Sequence, residues 1–153
     1  MRHFYGWEGA SAEIRALYED LSNIWSRETC APRLRPDWSP ENRTLGQCSI
    51  TAFLVQDLLG GEVRGVPLPD GSVHCFNVVD GYLFDLTSEQ FGEELLDYAD
   101  RPLQRRETHF ADEGKRRRYE LLKEGLLRLR AARNGEPTQR TEKERIERCA
   151  SLR

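Results

Sequence analysis

No run in this 153-residue chain approaches the ~18 consecutive apolar residues that a membrane-spanning helix needs, so no membrane span is expected. The opening residues carry no apolar stretch behind Arg2, and a secretory leader is not expected either. Cysteine is sparse: the four, at 30, 48, 75 and 149, form no CxxC pair and no regular framework. Free thiols in a reducing compartment follow, with a cytoplasmic address. Lysine is almost missing, 3 residues against 20 arginines, a bias that points to genome composition rather than guanidinium chemistry. There is no internal repeat. What remains has the size of one domain or of a domain with a tail, with 38% hydrophobic and 32% charged residues.

The net charge of −3 conceals an asymmetry. Residues 1–100 hold 7 Lys and Arg against 17 Asp and Glu, and residues 101–153 hold 16 against 9. A basic last third invites a nucleic-acid reading. Glutamates interleave with those arginines, however, and no aromatic stacking platform accompanies them, which argues against nucleic acid. A long solvated helix of mixed charge explains the pattern.

Apolar residues at helical spacing (Ile14, Leu17, Tyr18, Leu21, Ile24, Trp25) place a first helix at about 12–26, with Ser11 able to cap it. Residues 27–45 read as a long surface loop. From Ser49 to Leu59 apolar residues cover most of the helix circumference, so this helix belongs in the core, and Gly60-Gly61 ends it. Strands are expected over Glu62 to Val66, Val73 to Val79 and Tyr82 to Leu86, with Asp80-Gly81 as a two-residue hairpin turn. Thr87 and Gln90 have capping-box spacing. Tyr119, Leu122, Leu126 and Leu129 mark a long helix over about 112–133, whose stripe suits packing on the body or a homodimer seam. Residues 1–133 read as a single domain and 134–153 as a polar tail.

Cys48, in the first turn of the buried helix, meets unsatisfied amides and the positive end of the macrodipole, which favour a thiolate. Gly46 allows a tight entry. With Asp80-Gly81 as the turn, Val79 faces Tyr82, Val78 faces Leu83, Asn77 faces Phe84 and Phe76 faces Asp85. Alternation then puts His74, Phe76 and Val78 on one face with Leu83, Asp85 and Thr87. Asp85 becomes a diagonal neighbour of His74, about 7–8 Å away between backbones and within side-chain reach. A carboxylate there fixes one imidazole nitrogen and frees the other for a thiolate, so Cys48, His74 and Asp85 form a coherent nucleophile, base and orienter. Asn77 lies on the opposite face and reads as a hydrogen-bonded strand residue or a secondary site residue. Gln47 and the Cys48 N–H are candidate oxyanion donors. Cys75 points away from His74 and reads as core, and no third ligand stands at metal spacing beside Cys48, His74 and Cys75. Cys30 and Cys149 read as incidental thiols. His3 and His109 have no case, and no metal or cofactor is called for.

Gly46 to Ala52, Leu54 to Asp57, Gly60-Gly61, His74 to Asn77 and Asp85 to Phe91 resemble the YunG-like family of small bacterial proteins, over roughly residues 45–91. The wider pattern of helix-start cysteine, strand histidine and later Asp-x-Thr is similar to papain-like and transglutaminase-like cysteine enzymes. That resemblance implies an α+β fold with the cysteine helix packed on a small antiparallel sheet. It also implies acyl transfer or amide hydrolysis by Cys48, His74 and Asp85. Cys75 departs from the family, whose members tend to carry a larger aromatic after the histidine.

The expected activity is thus that of a thiol hydrolase or acyltransferase acting on a small-molecule or peptide amide or thioester. Its rival is a non-catalytic binding module on the same fold. A peroxide-sensing thiol ranks last, because Cys75, the nearest resolving partner, is expected to face the wrong way.

Overall fold

The computed structural model describes residues 3–135. All but the first two residues of the expected 134–153 tail, Cys149 among them, lie outside the described residues. Among the described residues there are four α-helices, three strands and three short 3-10 turns in an α+β arrangement.

Helix α1 (Ala12–Ser22) begins at Ser11, whose hydroxyl accepts from the Ile14 N–H at 3.2 Å. It buries Ile14, Leu17 and Leu21 and ends four residues earlier than the apolar spacing implied. Trp25 continues that spacing but has left the helix and turns inward, where its indole N–H donates to Thr51 at 2.9 Å. The 27–45 segment is more ordered than a surface loop. Its prolines start 3-10 turns at Pro32–Asp37 and Pro40–Asn42, and Arg35 donates to backbone carbonyls of Arg27, Glu28 and Cys30.

Helix α2 (Cys48–Leu59) is covered continuously from Ser49 to Val55, as its all-round apolarity requires. It lies against the sheet on one side and the long helix α4 (Glu113–Arg133) on the other. The sheet runs β1 (Glu62–Pro67), β2 (Val73–Val79), β3 (Tyr82–Phe84) in antiparallel order. Asp80 and Gly81 both take positive φ, 50° and 78°, and the hairpin register pairs Val79 with Tyr82, Val78 with Leu83 and Asn77 with Phe84. The fourth expected pair does not form. Strand β3 stops at Phe84, and Asp85 bridges instead to Tyr5 of the N-terminal segment, its N–H donating to the Tyr5 carbonyl at 3.0 Å. The capping box is absent too. Thr87 makes no side-chain cap, because its hydroxyl is directed to Asp85, and Gln90 donates back to the Thr87 carbonyl at 2.9 Å.

The sheet is covered on both faces. One carries Cys75, Val79 and Phe84 into the main core with α1, α2 and α4, and the other joins Phe76 to Val66 and Tyr98 of the returning chain. A short helix α3 (Arg106–Phe110) precedes the long α4 (Glu113–Arg133), which Asp112 caps by accepting from the Lys115 N–H. Tyr119, Leu122 and Leu126 are buried within the chain itself. Arg130 and Arg133 tie the far end of α4 to buried Asp20 of α1. No helix among the described residues is long and apolar enough to cross a membrane.

Docking of α4 through its stripe can be read by truncation. Leu122→Ala, at 1% exposure, is expected to cost about 2–5 kcal/mol in urea unfolding. Leu121→Ala, at 46% exposure, should change stability by no more than about 0.5 kcal/mol.

Candidate active site

The turn into α2 sets the position of Cys48. Gly46 has φ 74°, and a Cβ there would sit 2.5 Å from the Cys30 sulfur and 2.8 Å from the Ala31 nitrogen. Only glycine lets the 30–31 segment come this close. Cys30 is therefore a fully buried packing residue rather than an incidental loop thiol. Cys48 opens the helix half-buried, its sulfur 3.9 Å from the Val73 carbonyl at the start of β2. The amides of the first helical turn have no intrahelical acceptors, so the Cys48 N–H has no partner within its own helix.

His74, one residue along β2, is 1% exposed, and its Nε2 lies 2.6 Å from Asp85 Oδ2. That contact leaves Nδ1 as the second ring nitrogen. Asp85 is fully buried and accepts from three further donors. The Tyr98 hydroxyl meets Oδ2 at 2.6 Å, and the Thr87 amide and hydroxyl meet Oδ1 at 3.2 and 3.3 Å. The Phe91 ring packs edge-on against the imidazole at 4.7 Å between centroids.

The electrostatics favour an ion pair. The largest influence on Cys48 is a hydrogen bond from the Cys75 thiol, which lowers its pKa; burial opposes, and the His74 charge adds to the lowering. The net result lies well below the ordinary value. Burial alone would depress His74, but the charges of Asp85 and Cys48 overcome it and raise the pKa to about 10. Both shifts favour a thiolate beside an imidazolium. Cys75 moves the opposite way, well above its ordinary value, through its bond to Cys48 and then burial. Burial and the neighbouring Asp85 likewise raise Tyr98, keeping it a phenol donor.

Cys75 thus has a role that strand alternation hides. It does face away from His74 and is buried in the main core, as expected. That is also the face on which α2 lies, so its thiol meets the first residue of the helix.

Gln47 is fully buried, and its amide nitrogen donates to the Ser26 carbonyl at 3.0 Å, leaving Oε1 without a partner among the described residues. Asn77 donates to the Ala52 carbonyl of α2 at 2.9 Å, tying helix to sheet. His3 stacks on Trp7.

Cys48 and His74 open onto a cleft of about 760 Å³, within the range of small-molecule sites. One wall comes from residues 31–34 and 68–73, and the other from His109, Asp112, Lys115 and Arg118. His109, passed over in the sequence, is held neutral: burial first and Lys115 second lower its pKa, Lys115 Nζ lies 3.0 Å from Nδ1, and Nε2 meets Gln104 at 2.9 Å. Of the residues that sequence reasoning missed, Thr87 carried a signal, the Asp-x-Thr spacing of a local turn bond. Lys115 and Arg118 carried one in their i, i+3 spacing just past the Asp112 cap. Tyr98, in an irregular stretch, carried none.

A family model described as YunG protein matches residues 13–130. The protein YunG of Bacillus subtilis (strain 168), which bears the description uncharacterized, is 33% identical over 108 residues, covering 71% of this chain and 86% of its own length. No solved structure matches.

The ion pair has a pH signature. The raised His74 contributes stability that is fully present below its unfolded value of 6.5 and lost as pH rises through about 10. The lowered Cys48 contributes stability present above 9.0 and lost as pH falls through its native value. Above both 6.5 and the native Cys48 value, and below 9.0, the folded and unfolded pair bind the same number of protons, and the two slopes cancel. In Cys48→Ala only the His74 slope remains. The unfolding free energy of the parent minus that of Cys48→Ala, from urea titrations, should therefore grow with pH across that window. A difference that stays constant would refute the thiolate–imidazolium assignment.

Proposed function

This chain belongs to the YunG family, and we propose that it is a thiol-dependent hydrolase or acyltransferase acting on an amide or thioester through Cys48, His74 and Asp85. The observation that carries the reading is the buried 2.6 Å contact between His74 Nε2 and Asp85, set beside a half-buried cysteine at a helix start. That order of nucleophile, base and orienter is similar to papain-like and transglutaminase-like cysteine enzymes.

In the proposed reaction the Cys48 thiolate attacks the carbonyl carbon, forming a carbon–sulfur bond and a tetrahedral oxyanion. The Cys48 backbone N–H, at the positive end of α2, is the nearest donor for that oxyanion. The Gln47 side chain would first have to release Ser26, so it is the second choice. His74 gives its proton to the departing amine or thiol as the carbon–heteroatom bond breaks, leaving a thioester on Cys48. It then takes a proton from water or an acceptor amine, which attacks the thioester and restores the thiolate. Asp85 touches no reacting atom and acts by orienting the imidazole and balancing its charge. Asn77, bonded to Ala52, holds α2 on the sheet. The Cys75 thiol stabilises the resting thiolate, and its hydrogen bond must weaken as the sulfur becomes neutral.

Acylation is directly observable. Incubation with p-nitrophenyl acetate or an acetyl thioester should place one acetyl group on the Cys48 peptide, read by mass spectrometry. His74→Ala should slow that step about 10²–10⁴-fold. Asp85→Asn should slow it less, and Tyr98→Phe, which keeps the carboxylate, less still. No adduct on Cys48 in the folded parent, or undiminished acylation in His74→Ala, would overturn the reading in favour of a binding module.

A further inference from the structure

Helix α4 turns two cations toward the reacting sulfur. Lys115 and Arg118, three residues apart and so on one face, both line the cleft that contains Cys48 and His74. Arg118 is only 9% exposed, yet no carboxylate lies within ion-pair distance among the described residues. Its Nη1 donates to the Thr29 carbonyl at 3.0 Å and more weakly to the Gly46 carbonyl at 3.5 Å, while its Nε is buried without a partner. Burial and then the charge of Arg35 work against its protonated form, so this is a cation in want of an anion.

Lys115 is half-buried, and its ammonium meets the neutral ring of His109, again not a carboxylate. The acidic residues of the cleft are committed elsewhere. Asp70 accepts from the Ser72 amide and hydroxyl at 2.9 and 2.5 Å and pairs with Arg33 at 3.3 Å, and Asp112 caps α4.

We infer that the substrate of this cleft bears an anionic group, a carboxylate or a phosphate, which Arg118 and Lys115 hold while its carbonyl meets Cys48. The inference rests on Cys48 being the reacting thiol, and it narrows the substrate class of that reading. A planar guanidinium suits a two-oxygen anion, and the adjacent ammonium supplies a point charge to the same group. Attachment to Thr29 and Gly46 holds the guanidinium beside the turn that delivers Cys48, so the distance between anion and carbonyl is set by the protein. Neutral acyl compounds of the same size would lack this anchor.

Two alkylating reagents of nearly equal size report on this without any knowledge of the natural substrate. The rates of Cys48 labelling by iodoacetate and by iodoacetamide are measured on the full chain, with peptide mapping to separate it from the other cysteines. Their ratio cancels any change in the thiolate population, because both reagents consume the same thiolate. Relative to the urea-unfolded chain, the folded protein should favour iodoacetate about tenfold, and Arg118→Gln and Lys115→Gln should each lose most of that preference. Because Arg118 also holds two carbonyls, the unmutated protein supplies an independent reading. Glutarate or inorganic phosphate should slow labelling where glutaramide does not, and the more effective anion identifies the group. Fast labelling of Cys48 with no preference for iodoacetate and no anion protection would overturn this inference and leave the thiol chemistry standing. Slow labelling by both reagents would remove the catalytic reading and this inference with it.

Discussion

The Asp85 carboxylate is the constraint on which the arrangement depends. A carboxylate sealed from water carries a desolvation cost of several kcal/mol, and it persists only if its lone pairs are met by donors. Here four donors meet it, from His74 of β2, from Tyr98 and from both the amide and hydroxyl of Thr87. Two other chain segments are tied to one residue as a result, and Thr87 closes a local turn on it. The Tyr5 carbonyl adds a third segment through the Asp85 backbone N–H. Removing one partner from such a buried set costs about 3–5 kcal/mol, so the histidine is held in orientation by the same interaction that closes one face of the sheet.

The other face solves a different problem. Helix α2 is apolar all round and needs cover on every side, which the sheet and α4 provide. Its first residue, where the helix amides are unsatisfied, opens onto the cleft. That is where Cys48 stands. Two residues adjacent in β2 then serve the same sulfur from opposite faces of the strand, His74 as counter-charge and Cys75 as hydrogen-bond donor. The cleft in front of them is closed by α4, whose Leu122 and Leu126 dock the helix and thereby fix Lys115 and Arg118 in its wall.

Much of this was legible in the residues. The all-round apolarity of Ser49 to Leu59 identified the core helix to within a residue, since burial is the only outcome for such a pattern. The Asp80-Gly81 turn gave the hairpin register because both residues tolerate positive φ, and register brings His74 and Asp85 to one face. What failed depended on long-range partners. Asp85 left its expected strand because Tyr5 offered an edge from 80 residues away. Thr87 lost its cap to Asp85, where a buried charge outbids a helix terminus. Tyr98 reaches the site from an irregular segment with no local pattern of its own that points there. Strand alternation said correctly which face Cys75 takes but not that the first residue of α2 waits on that face.

The central claim is that Cys48 rests as a thiolate, held by the Cys75 hydrogen bond and by a charged His74 beside it. The direct measurement is the rate of Cys48 alkylation by iodoacetamide as a function of pH, in the full chain and in His74→Gln. The account predicts an apparent pKa well below the ordinary ~8.5 of a free thiol, moving upward in the variant. A rate that rises only near ~8.5, with the same profile in both proteins, would contradict it.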